Sequence, residues 1–259
     1  MKQKLSIIKI GGNIIEDQES LFEFLKLFAQ LEGNKVLVHG GGKRATEFGK
    51  RLGIESKMVD GRRITDAKSL EVVVMVYAGL VNKKIVAQLQ ANKCDAIGLS
   101  GADANAIIAV KRPVNTIDFG YVGDVMTVNA ESISKLLSAE FTPVFCALTH
   151  DGRGQLFNTN ADTIASEVAI ALSQNYDTTL YYCFEKKGVL RTITDEDSVI
   201  KRINMESYQK LKQQKIIVEG MLPKLENCFH ALNKHVQRVC IGDISMLEPN
   251  AQIFTTITL

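Results

Sequence analysis

Two kinds of segment alternate along this chain of 259 residues. Short apolar runs that end near Gly, Asn or Asp predict strands, and longer segments with apolar residues at helical spacing predict helices. Their regular alternation is typical of an α/β fold with a mainly parallel sheet. The predicted strands are residues 5–10, 35–40, 95–100, 142–148, 178–184, 237–242 and 252–259. The predicted helices are residues 19–32, 43–52, 67–92, 130–138, 161–173, 205–213 and 221–233.

Residues 107–128 break this alternation. Two segments that alternate apolar and polar positions, AIIAVKRP and DFGYVGDVMTV, are separated by Pro113 and Asn115. This pattern predicts an antiparallel hairpin beside the main sheet.

The predicted helix over residues 67–92 carries five successive apolar residues, Val72–Val76. A helix that is apolar on more than one face needs two burial surfaces. One surface is its own sheet. The other is either more of the same core or the same helix of a second subunit, and the second reading predicts a homodimer.

The charge balance narrows the class of partner. Lys and Arg number 31 against 29 Asp and Glu, so the net charge of +2 gives no strong field for nucleic acid or an acidic membrane. The amino-terminal segment MKQKLSIIKIGG lacks a signal-peptide core, and no apolar run approaches the roughly 20 residues of a membrane span. We therefore expect a cytoplasmic protein with a small-molecule partner.

The cysteines and histidines give no metal signature. The five cysteines are far apart and most lie in apolar runs, which predicts reduced core residues. His230 and His235 lack the i, i+4 spacing of a helical zinc site. We predict no structural metal.

Neither standard nucleotide motif is present. The chain has no GxGxxG after a strand, and GGGKRA has Arg44 where a P-loop needs a hydroxyl. This absence also argues against a dinucleotide-binding oxidoreductase.

Two predicted strands nevertheless end in glycines. Lys9 is followed by Gly11 and Gly12, and the second strand runs into Gly41 and Gly42 at a helix start. Glycines at such turns are often structural, but they also let backbone N–H groups approach an anion. Two such turns after successive strands favour one shared anion site.

Two further motifs carry polar groups. In LFNTNADT, Asn158, Asn160 and Asp162 occupy alternate positions before a helix, where an Asx turn with a helix cap is the alternative explanation. In EGMLPK, Gly220 starts a predicted helix and places Lys224 about one turn along it. A single lysine there is usually only solvated.

Taken together, these motifs resemble the amino acid kinase family, and within it the acetylglutamate kinases. The matching stretches are KIGG, VHGGG, GRRIT at residues 61–65, GLSGAD, NTNAD and GMLPK, in the family's order. The resemblance implies a three-layer αβα sandwich with two lobes. Residues 1–175 would bind the acyl amino acid and dimerise, and residues 176–259 would bind ATP.

The resemblance also implies an activity: ATP-dependent phosphorylation of the side-chain carboxylate of N-acetyl-L-glutamate, an early step of arginine biosynthesis. Lys9 and Lys224 would flank the transferred phosphoryl group, and Asp162 would hold both ammonium groups. Preorganised cations of this kind stabilise the charge of the transition state. A carboxylate acceptor is already ionised at neutral pH and needs no catalytic base.

The resemblance further implies the binding residues. The acyl amino acid would be held by Gly41, Gly42, Arg63 and Asn158, with Arg63 in a two-pronged bond to the α-carboxylate. Mg²⁺ would arrive with ATP, held largely by phosphates and water. The residues expected to bind ATP are Gly11, Gly12, Asn160, Glu185, Gly188 and Ile217.

Two positions depart from the family pattern. After the strand TTLYYCF, relatives usually carry a stretch such as SDVSG, whereas this chain reads FEKKG, with Glu185 replacing the aspartate. Arg62 stands where relatives commonly have an apolar residue, beside Arg63. Arg62 would therefore join the substrate-binding residues, either pointing to solvent or meeting a succinyl carboxylate.

Alternatives stay open at this point. N-succinyl-L-glutamate is an alternative acceptor, and kinases of this fold also act on carbamate, aspartate, glutamate or UMP. A non-catalytic sensor of amino acid or nucleotide is an alternative of a different class. Lys9, Lys224 and Asp162 are all present, which favours the enzyme.

Overall fold

The computed structural model describes residues 2–59, 62–217 and 221–259. In chain order, its strands are β1 (Gln3–Ile10), β2 (Asn34–His39), β3 (Lys57–Val59), β4 (Arg62–Ile64), β5 (Ala96–Leu99), β6 (Ile107–Lys111), β7 (Gly123–Val128), β8 (Thr142–Cys146), β9 (Leu148–His150), β10 (Leu156–Asn158), β11 (Tyr176–Cys183), β12 (Arg202–Ile203), β13 (Arg238–Gly242) and β14 (Thr255–Ile257). Its α-helices are α1 (Gly12–Glu16), α2 (Gln18–Gln30), α3 (Gly42–Arg51), α4 (Ala67–Val74), α5 (Asn82–Ala91), α6 (Ala130–Ser138), α7 (Ala161–Leu172), α8 (Met205–Gln213) and α9 (Leu222–Asn233).

The chain divides into two compact units. Unit 1 comprises Met1–Val36 and Ala165–Leu259, and unit 2 comprises Leu37–Ile164. The boundaries of these compact units fall inside β2 and α7, and the predicted division into two lobes near residue 175 stays a prediction. The assignment of the acyl amino acid to one lobe and ATP to the other stays a prediction.

Unit 1 is built on a mainly parallel sheet. Its strands lie in the order β12, β14, β13, β11, β1, and among these neighbours only β13 and β14 pair in the antiparallel sense. The apolar residues of β1 are buried on both faces, which is the pattern of a parallel strand covered on both sides. Because β1, β11 and β13 run in one direction, their carboxyl ends meet at one edge of this sheet.

Unit 2 contains the parallel pairs β2–β8 and β5–β8. A second, four-stranded sheet has the order β10, β9, β6, β7, and β3 pairs with β4 in a short hairpin. The antiparallel pair predicted within residues 107–128 is confirmed as β6 and β7, with an irregularity between Ile108 and Ala109. The α/β class with mainly parallel strands is confirmed as well.

Four helices begin with the same local device. An Asp or Asn side chain accepts a hydrogen bond from the backbone N–H of a serine three residues later, which satisfies one of the unpaired donors at the helix start. The pairs are Asp17 with Ser20 in α2, Asp66 with Ser69 in α4, Asn129 with Ser132 in α6 and Asn204 with Ser207 in α8. These caps place the helix starts within a residue or two of the predicted ones.

The predicted helix over residues 67–92 is interrupted. A π-helical segment, Met75–Val81, joins α4 to α5. Val72, Val73 and Val76 are buried, whereas the Met75 side chain is 55% exposed. The apolar run is therefore only partly covered within this chain.

The structure also bears on the predictions made for the cysteines and for membrane spans. All five cysteines lie in the described part of the chain, are buried and form no disulfide. Burial raises the pKa of Cys146 to about 12, so this thiol stays protonated. Among the described residues, no helix has the length and apolar content needed to cross a membrane.

Candidate active site

The two predicted catalytic lysines of unit 1 meet at one aromatic ring. Lys9 stands near the end of β1 and is buried, and Phe184 directly follows the neighbouring strand β11. The Lys9 Nζ atom lies 4.9 Å from the centre of the Phe184 ring, and the Lys224 Nζ atom lies 3.6 Å from it. Both distances suit a cation–π contact, so the fold concentrates two positive charges at this strand edge.

Lys224 is positioned by α9. The helix begins at Leu222, so Lys224 lies in its first turn, close to the predicted place. Gly220, which the sequence suggested as the helix start, lies outside the described residues. Helix α9 packs against β13, which carries this first turn toward the carboxyl edge of the unit 1 sheet.

A cavity of about 180 Å³ opens beside Phe184. It brings together four predicted site residues, Glu185, Gly188, Ile217 and Lys224. Most of the other lining side chains are apolar, which is typical of a pocket for a planar organic group. They are Val189, Leu190, Ile193, Ile216, Met221 and Ile241, together with Lys186.

The unusual lysines of the FEKKG segment have local partners. The Lys186 Nζ atom lies 2.6 Å from a Glu196 carboxylate oxygen, and the Lys187 Nζ atom lies 3.4 Å from one of Asp197. These exposed pairs join the segment to the loop ten residues later and contribute little stability. The added charge is therefore balanced within the loop.

The two residues of the first glycine pair, Gly11 and Gly12, differ in the space around them. The backbone N–H of Gly11 donates to Cys183 O at 2.8 Å, and a Cβ at Gly11 would lie 3.1 Å from the Phe184 ring. At Gly12 no atom lies within 4 Å of the position a Cβ would take. The fold therefore constrains Gly11 more tightly than Gly12.

The second glycine pair, in unit 2, is constrained by an aromatic residue of the π-helical segment. Gly41 has a φ of 153°, and a Cβ there would lie 2.9 Å from the ring of Tyr77. Gly42 follows as the first residue of α3. Only glycine fits at position 41, because the backbone φ disfavours other residues and because a side chain would meet the Tyr77 ring.

Arg63 is the most firmly held predicted site residue in unit 2. Its side chain is buried, and its Nη2 atom donates to Gly42 O at 2.9 Å and to Thr46 Oγ1 at 2.8 Å. Its Nη1 atom donates to Ser56 Oγ. These acceptors are neutral, so hydrogen bonds fix the guanidinium without cancelling its charge.

Asn158 is tied to the same region. It ends β10, and its Nδ2 atom donates to Thr65 Oγ1 at 3.0 Å, one residue beyond the strand that carries Arg63. The backbone N–H of Asn158 also donates to Tyr121 O at 2.9 Å. The structure thus brings Gly41, Gly42 and Arg63 together and links Asn158 to them through Thr65.

The sequence suggested that Asn160 and Asp162 lie at alternate positions of an extended run, with a helix cap as the alternative. The structure shows the helix cap. The Asn160 side chain accepts from the backbone N–H groups of Asp162 and Thr163, so Asn160 caps α7. Asp162 already lies in the first turn of α7. Asp162 belongs to unit 2 and the two lysines to unit 1, and its predicted hold on them stays a prediction.

Arg62 faces away from the Arg63 network. It is exposed and lines a separate cleft of about 390 Å³ with Arg112, Phe119 and Asp124. Arg112 is already paired with Asp124, at 2.6 Å. Successive side chains of β4 point to opposite sides, as expected for a strand.

The family model described as "Amino acid kinase family" matches residues 4–243. The chain belongs to the amino acid kinase family. Two curated relatives are named acetylglutamate kinase. The one from Cytophaga hutchinsonii is 58% identical over 240 residues, covering 92% of this chain and 91% of that protein. The one from Bacteroides thetaiotaomicron is 54% identical over 250 residues, covering 96% and 97%.

A solved structure from Streptococcus mutans agrees with the amino acid kinase fold. It superposes with a TM-score of 0.80 at 27% identity and covers 98% of both chains. The predicted resemblance to the acetylglutamate kinases is confirmed by the relatives above, and an oxidoreductase is excluded.

A buried network supports the unit 2 glycines of this amino acid kinase. The His39 ring is fully buried; its Nδ1 atom lies 2.8 Å from Gly40 O, and its Nε2 atom lies 3.0 Å from Asn82 Nδ2. Asn82 Nδ2 also donates to Val144 O. Because Gly40 O can only accept and Asn82 Nδ2 only donate, His39 is neutral with its proton on Nδ1. Burial lowers the pKa of His39 to about 4.

Sequence reasoning missed three residues that organise this amino acid kinase site. Phe184 was seen only as a strand end, Tyr77 only as part of an apolar helix, and Thr65 only as part of GRRIT. Phe184 follows a strand whose pairing with the Lys9 strand only the structure shows, so no local signal pointed to it. Nothing in the spacing pointed to the contact of Tyr77 with Gly41.

Proposed function

We propose that this chain transfers the γ-phosphoryl group of ATP to the side-chain carboxylate of N-acetyl-L-glutamate, as an early step of arginine biosynthesis in the cytoplasm. The meeting of Lys9 and Lys224 at Phe184, beside the largely apolar cavity, is the observation that carries the proposal. The relatives named acetylglutamate kinase support the same acceptor. Their names do not favour a succinylated acceptor or a non-catalytic sensor.

The reaction balances without a proton transfer. A carboxylate oxygen attacks the γ-phosphorus, a new P–O bond forms, and the bond from that phosphorus to the bridging oxygen of ADP breaks. The products are ADP and an acyl phosphate. No general base is needed because the acceptor is ionised at neutral pH.

The two lysines supply the electrostatic part of catalysis. Negative charge spreads over the phosphoryl oxygens in the transition state, and ammonium groups already in place stabilise it without reorganising. Phe184 keeps both ammonium groups at one strand edge. Asp162 orients them in this proposal, from the first turn of α7.

ATP is bound by unit 1 in this proposal. The adenine occupies the cavity lined by Gly188 and Ile217, with Glu185 and Lys224 at its polar side. The backbone N–H of Gly12 approaches the phosphates, and Gly11, whose own N–H is bonded to Cys183 O, leaves room for them because it carries no side chain. Asn160 contributes from the start of α7.

Mg²⁺ accompanies ATP, held by phosphate oxygens and water as this ion prefers. Bound there, the ion neutralises charge on the phosphates during transfer. Within residues 2–59, 62–217 and 221–259, no group of three or more His, Cys, Asp or Glu side chains could hold a metal ion. The phosphates are therefore the main ligands in this proposal.

The acyl amino acid is bound by Arg63, Gly41, Gly42 and Asn158. A carboxylate can accept two parallel hydrogen bonds from a guanidinium, one of them from Nη2. In Arg63, Nη2 already donates to Gly42 O and Thr46 Oγ1. The α-carboxylate therefore replaces at least one of these bonds when it binds. The buried charge of Arg63 makes that exchange favourable, since a charged acceptor replaces a neutral one.

An acceptor panel tests the function. The purified chain is incubated with ATP, Mg²⁺ and hydroxylamine, and both hydroxamate and ADP are measured. N-acetyl-L-glutamate should give hydroxamate in step with ADP, whereas L-glutamate, L-aspartate, carbamate and UMP should support little ADP release. Lys224→Ala is the control for a contaminating kinase. Equal or faster turnover of another acceptor would overturn the proposal.

A homodimer completes the proposal. Met75 is 55% exposed on the apolar run of residues 72–76, which suggests that a second copy covers it. Sedimentation equilibrium should give the dimer mass, and Met75→Glu should shift it toward the monomer. Met205→Glu, at a 41% exposed position in unit 1, is the matched control. A monomeric native chain would contradict this part.

A further inference from the structure

Unit 1 contains a second, larger cleft of about 820 Å³. It lies where the parallel strands begin: Lys2 precedes β1, Arg238 is the first residue of β13, and Arg202 is the first residue of β12. The cavity beside Phe184 lies at the carboxyl ends of the same strands, where Ile241 lines it from β13. The two therefore open at opposite edges of one sheet.

The lining of this cleft carries cationic side chains and no Asp or Glu. Lys2, Arg202 and Arg238 line it with His235, and no lining side chain is acidic. Even with a carboxylate at Leu259 counted, the cationic side chains outnumber it three to one. We call Lys2, Arg202, Arg238, His235, Gln237 and Thr256 the basic cleft.

The strand register places the two arginines on the same face of the sheet. Arg202 pairs with Thr256, and Thr256 pairs with Cys240, two residues beyond Arg238 on β13. Paired residues and residues two apart on a strand share a face. The arginine Cα atoms are thus two strand spacings apart, about 10 Å across the sheet, with an offset of about 7 Å along it. Side chains of this length can converge on one group between them.

Neither arginine is neutralised within the described chain. Both are exposed, and neither forms an ion pair with a described residue. Lys2 is steered into the cleft, since its Nζ atom donates to Ser173 O at 2.9 Å. Gln237 and Thr256 add neutral hydrogen-bond donors. An anion bound between these side chains would therefore meet several cationic groups and no acidic one among the lining residues.

We propose that the basic cleft is a binding site for a small anion that carries more than one phosphate or carboxylate group. Arginine forks match the planar and tetrahedral oxygens of these groups and bind them through charge-assisted hydrogen bonds. The volume is within the range of sites for small organic ligands. This site is separate from the one proposed for phosphoryl transfer, so its test requires no turnover.

Calorimetric titration of the purified chain tests the site, with inorganic pyrophosphate and citrate as the probes. The test variant is Arg202→Gln with Arg238→Gln, both at exposed positions. The control is Lys26→Gln with Lys212→Gln, which removes the same charge from exposed positions elsewhere in unit 1. Circular dichroism of both double variants checks that they fold as the native chain does.

The native chain should bind at least one probe, and the arginine double variant should bind it more weakly by about tenfold or more, because two charge-assisted contacts are lost. The lysine control should bind as the native chain does. Binding of pyrophosphate alone identifies a phosphate site, and binding of citrate alone a carboxylate site. Absence of binding by both probes, or equal affinity in the arginine variant, overturns the proposal; the second result would place the anion in the cavity beside Phe184.

Discussion

The two units hold their candidate site cations in different ways. In unit 2, Arg63 is buried and donates hydrogen bonds to Gly42, Thr46 and Ser56. In unit 1, Lys9 and Lys224 stand against the face of the Phe184 ring. The first arrangement fixes the plane of a guanidinium through hydrogen bonds to neutral acceptors, whereas the second brings two ammonium groups to one ring face.

This difference suits two different tasks. A carboxylate that must be held in one orientation is best met by a guanidinium whose plane is fixed. A phosphoryl group develops negative charge on its oxygens during transfer, and two ammonium groups brought to one place stabilise that charge. We therefore expect changes at Lys9 and Lys224 to act mainly on kcat and changes at Arg63 mainly on KM for the acyl amino acid.

The largest expected effect is on the lysines. Lys9→Ala and Lys224→Ala should each lower kcat by about two orders of magnitude or more, because each removes a cation from the developing phosphoryl charge. The KM for ATP should change much less. Steady-state kinetics with both substrates saturating measures this.

Lys26→Ala, an exposed lysine of α2, is the matched control and should keep native turnover. Asp162→Asn should also be slow, through misplaced lysines rather than weaker binding. Near-native kcat in either Lys9→Ala or Lys224→Ala would remove the basis for assigning the phosphoryl group to this strand edge.

The buried histidine of unit 2 should appear in the pH dependence of stability. His39 has a pKa of about 4 in the folded protein against 6.5 without burial, so the unfolded chain takes up this proton first as the pH falls. The stabilisation present above pH 6.5 is thus lost progressively down to about pH 4, to a total of about 3 kcal/mol. Urea unfolding at a series of pH values measures it.

His39→Gln should flatten this pH dependence, because the group that titrates differently is gone. An unchanged slope in His39→Gln would show that the histidine takes up its proton alike in the folded and unfolded chain, contrary to its burial and its hydrogen bonds with Gly40 and Asn82.

Neighbouring arginines offer the next comparison. Arg63→Lys should raise the KM for N-acetyl-L-glutamate by about tenfold or more, because lysine cannot reproduce the fork or its bonds to Thr46 and Ser56. Arg62→Lys should change the same KM by less than about threefold, since Arg62 is exposed and faces another cleft. Equal effects of the two substitutions would show that the buried network does not select the substrate site.

The smallest expected effects come from replacing one glycine of each pair, Gly41 and Gly12, by alanine. Gly41→Ala should lower the free energy of unfolding by roughly 1–3 kcal/mol, because of its φ of 153° and the Tyr77 ring 2.9 Å from the new Cβ. Gly12→Ala should change stability by less than about 0.5 kcal/mol and raise the KM for ATP instead. Urea unfolding and ATP kinetics on both variants decide whether one glycine serves the fold and the other the ligand.

The sequence predicted the elements that carry the strongest local signals. The apolar runs of β1, β2 and β11 and the helix starts at Ala67 and Ala130 follow from local features, so they could be located without tertiary information. The antiparallel pair at residues 107–128 was visible for the same reason. The elements missed, such as α1, β3 and β12, are too short for a periodic signal.

The contacts that build the site could not be predicted in this way. Phe184 joins Lys9 to Lys224, and Tyr77 closes on Gly41, although these residues are far apart in the chain. Only the pairing of β1 with β11 places Lys9 near Phe184. The unit boundaries inside β2 and α7 leave no mark of linker composition that the sequence could show.

The most direct test of the proposed function is phosphorus NMR of the product. The purified chain is mixed with ATP, Mg²⁺ and N-acetyl-L-glutamate, and the spectrum is followed alongside a sample of Lys224→Ala. An acyl phosphate resonance should grow in step with ADP, be absent without the acceptor, and disappear on adding hydroxylamine. ADP formation that does not depend on N-acetyl-L-glutamate, or an intact acceptor after ATP is consumed, would contradict it.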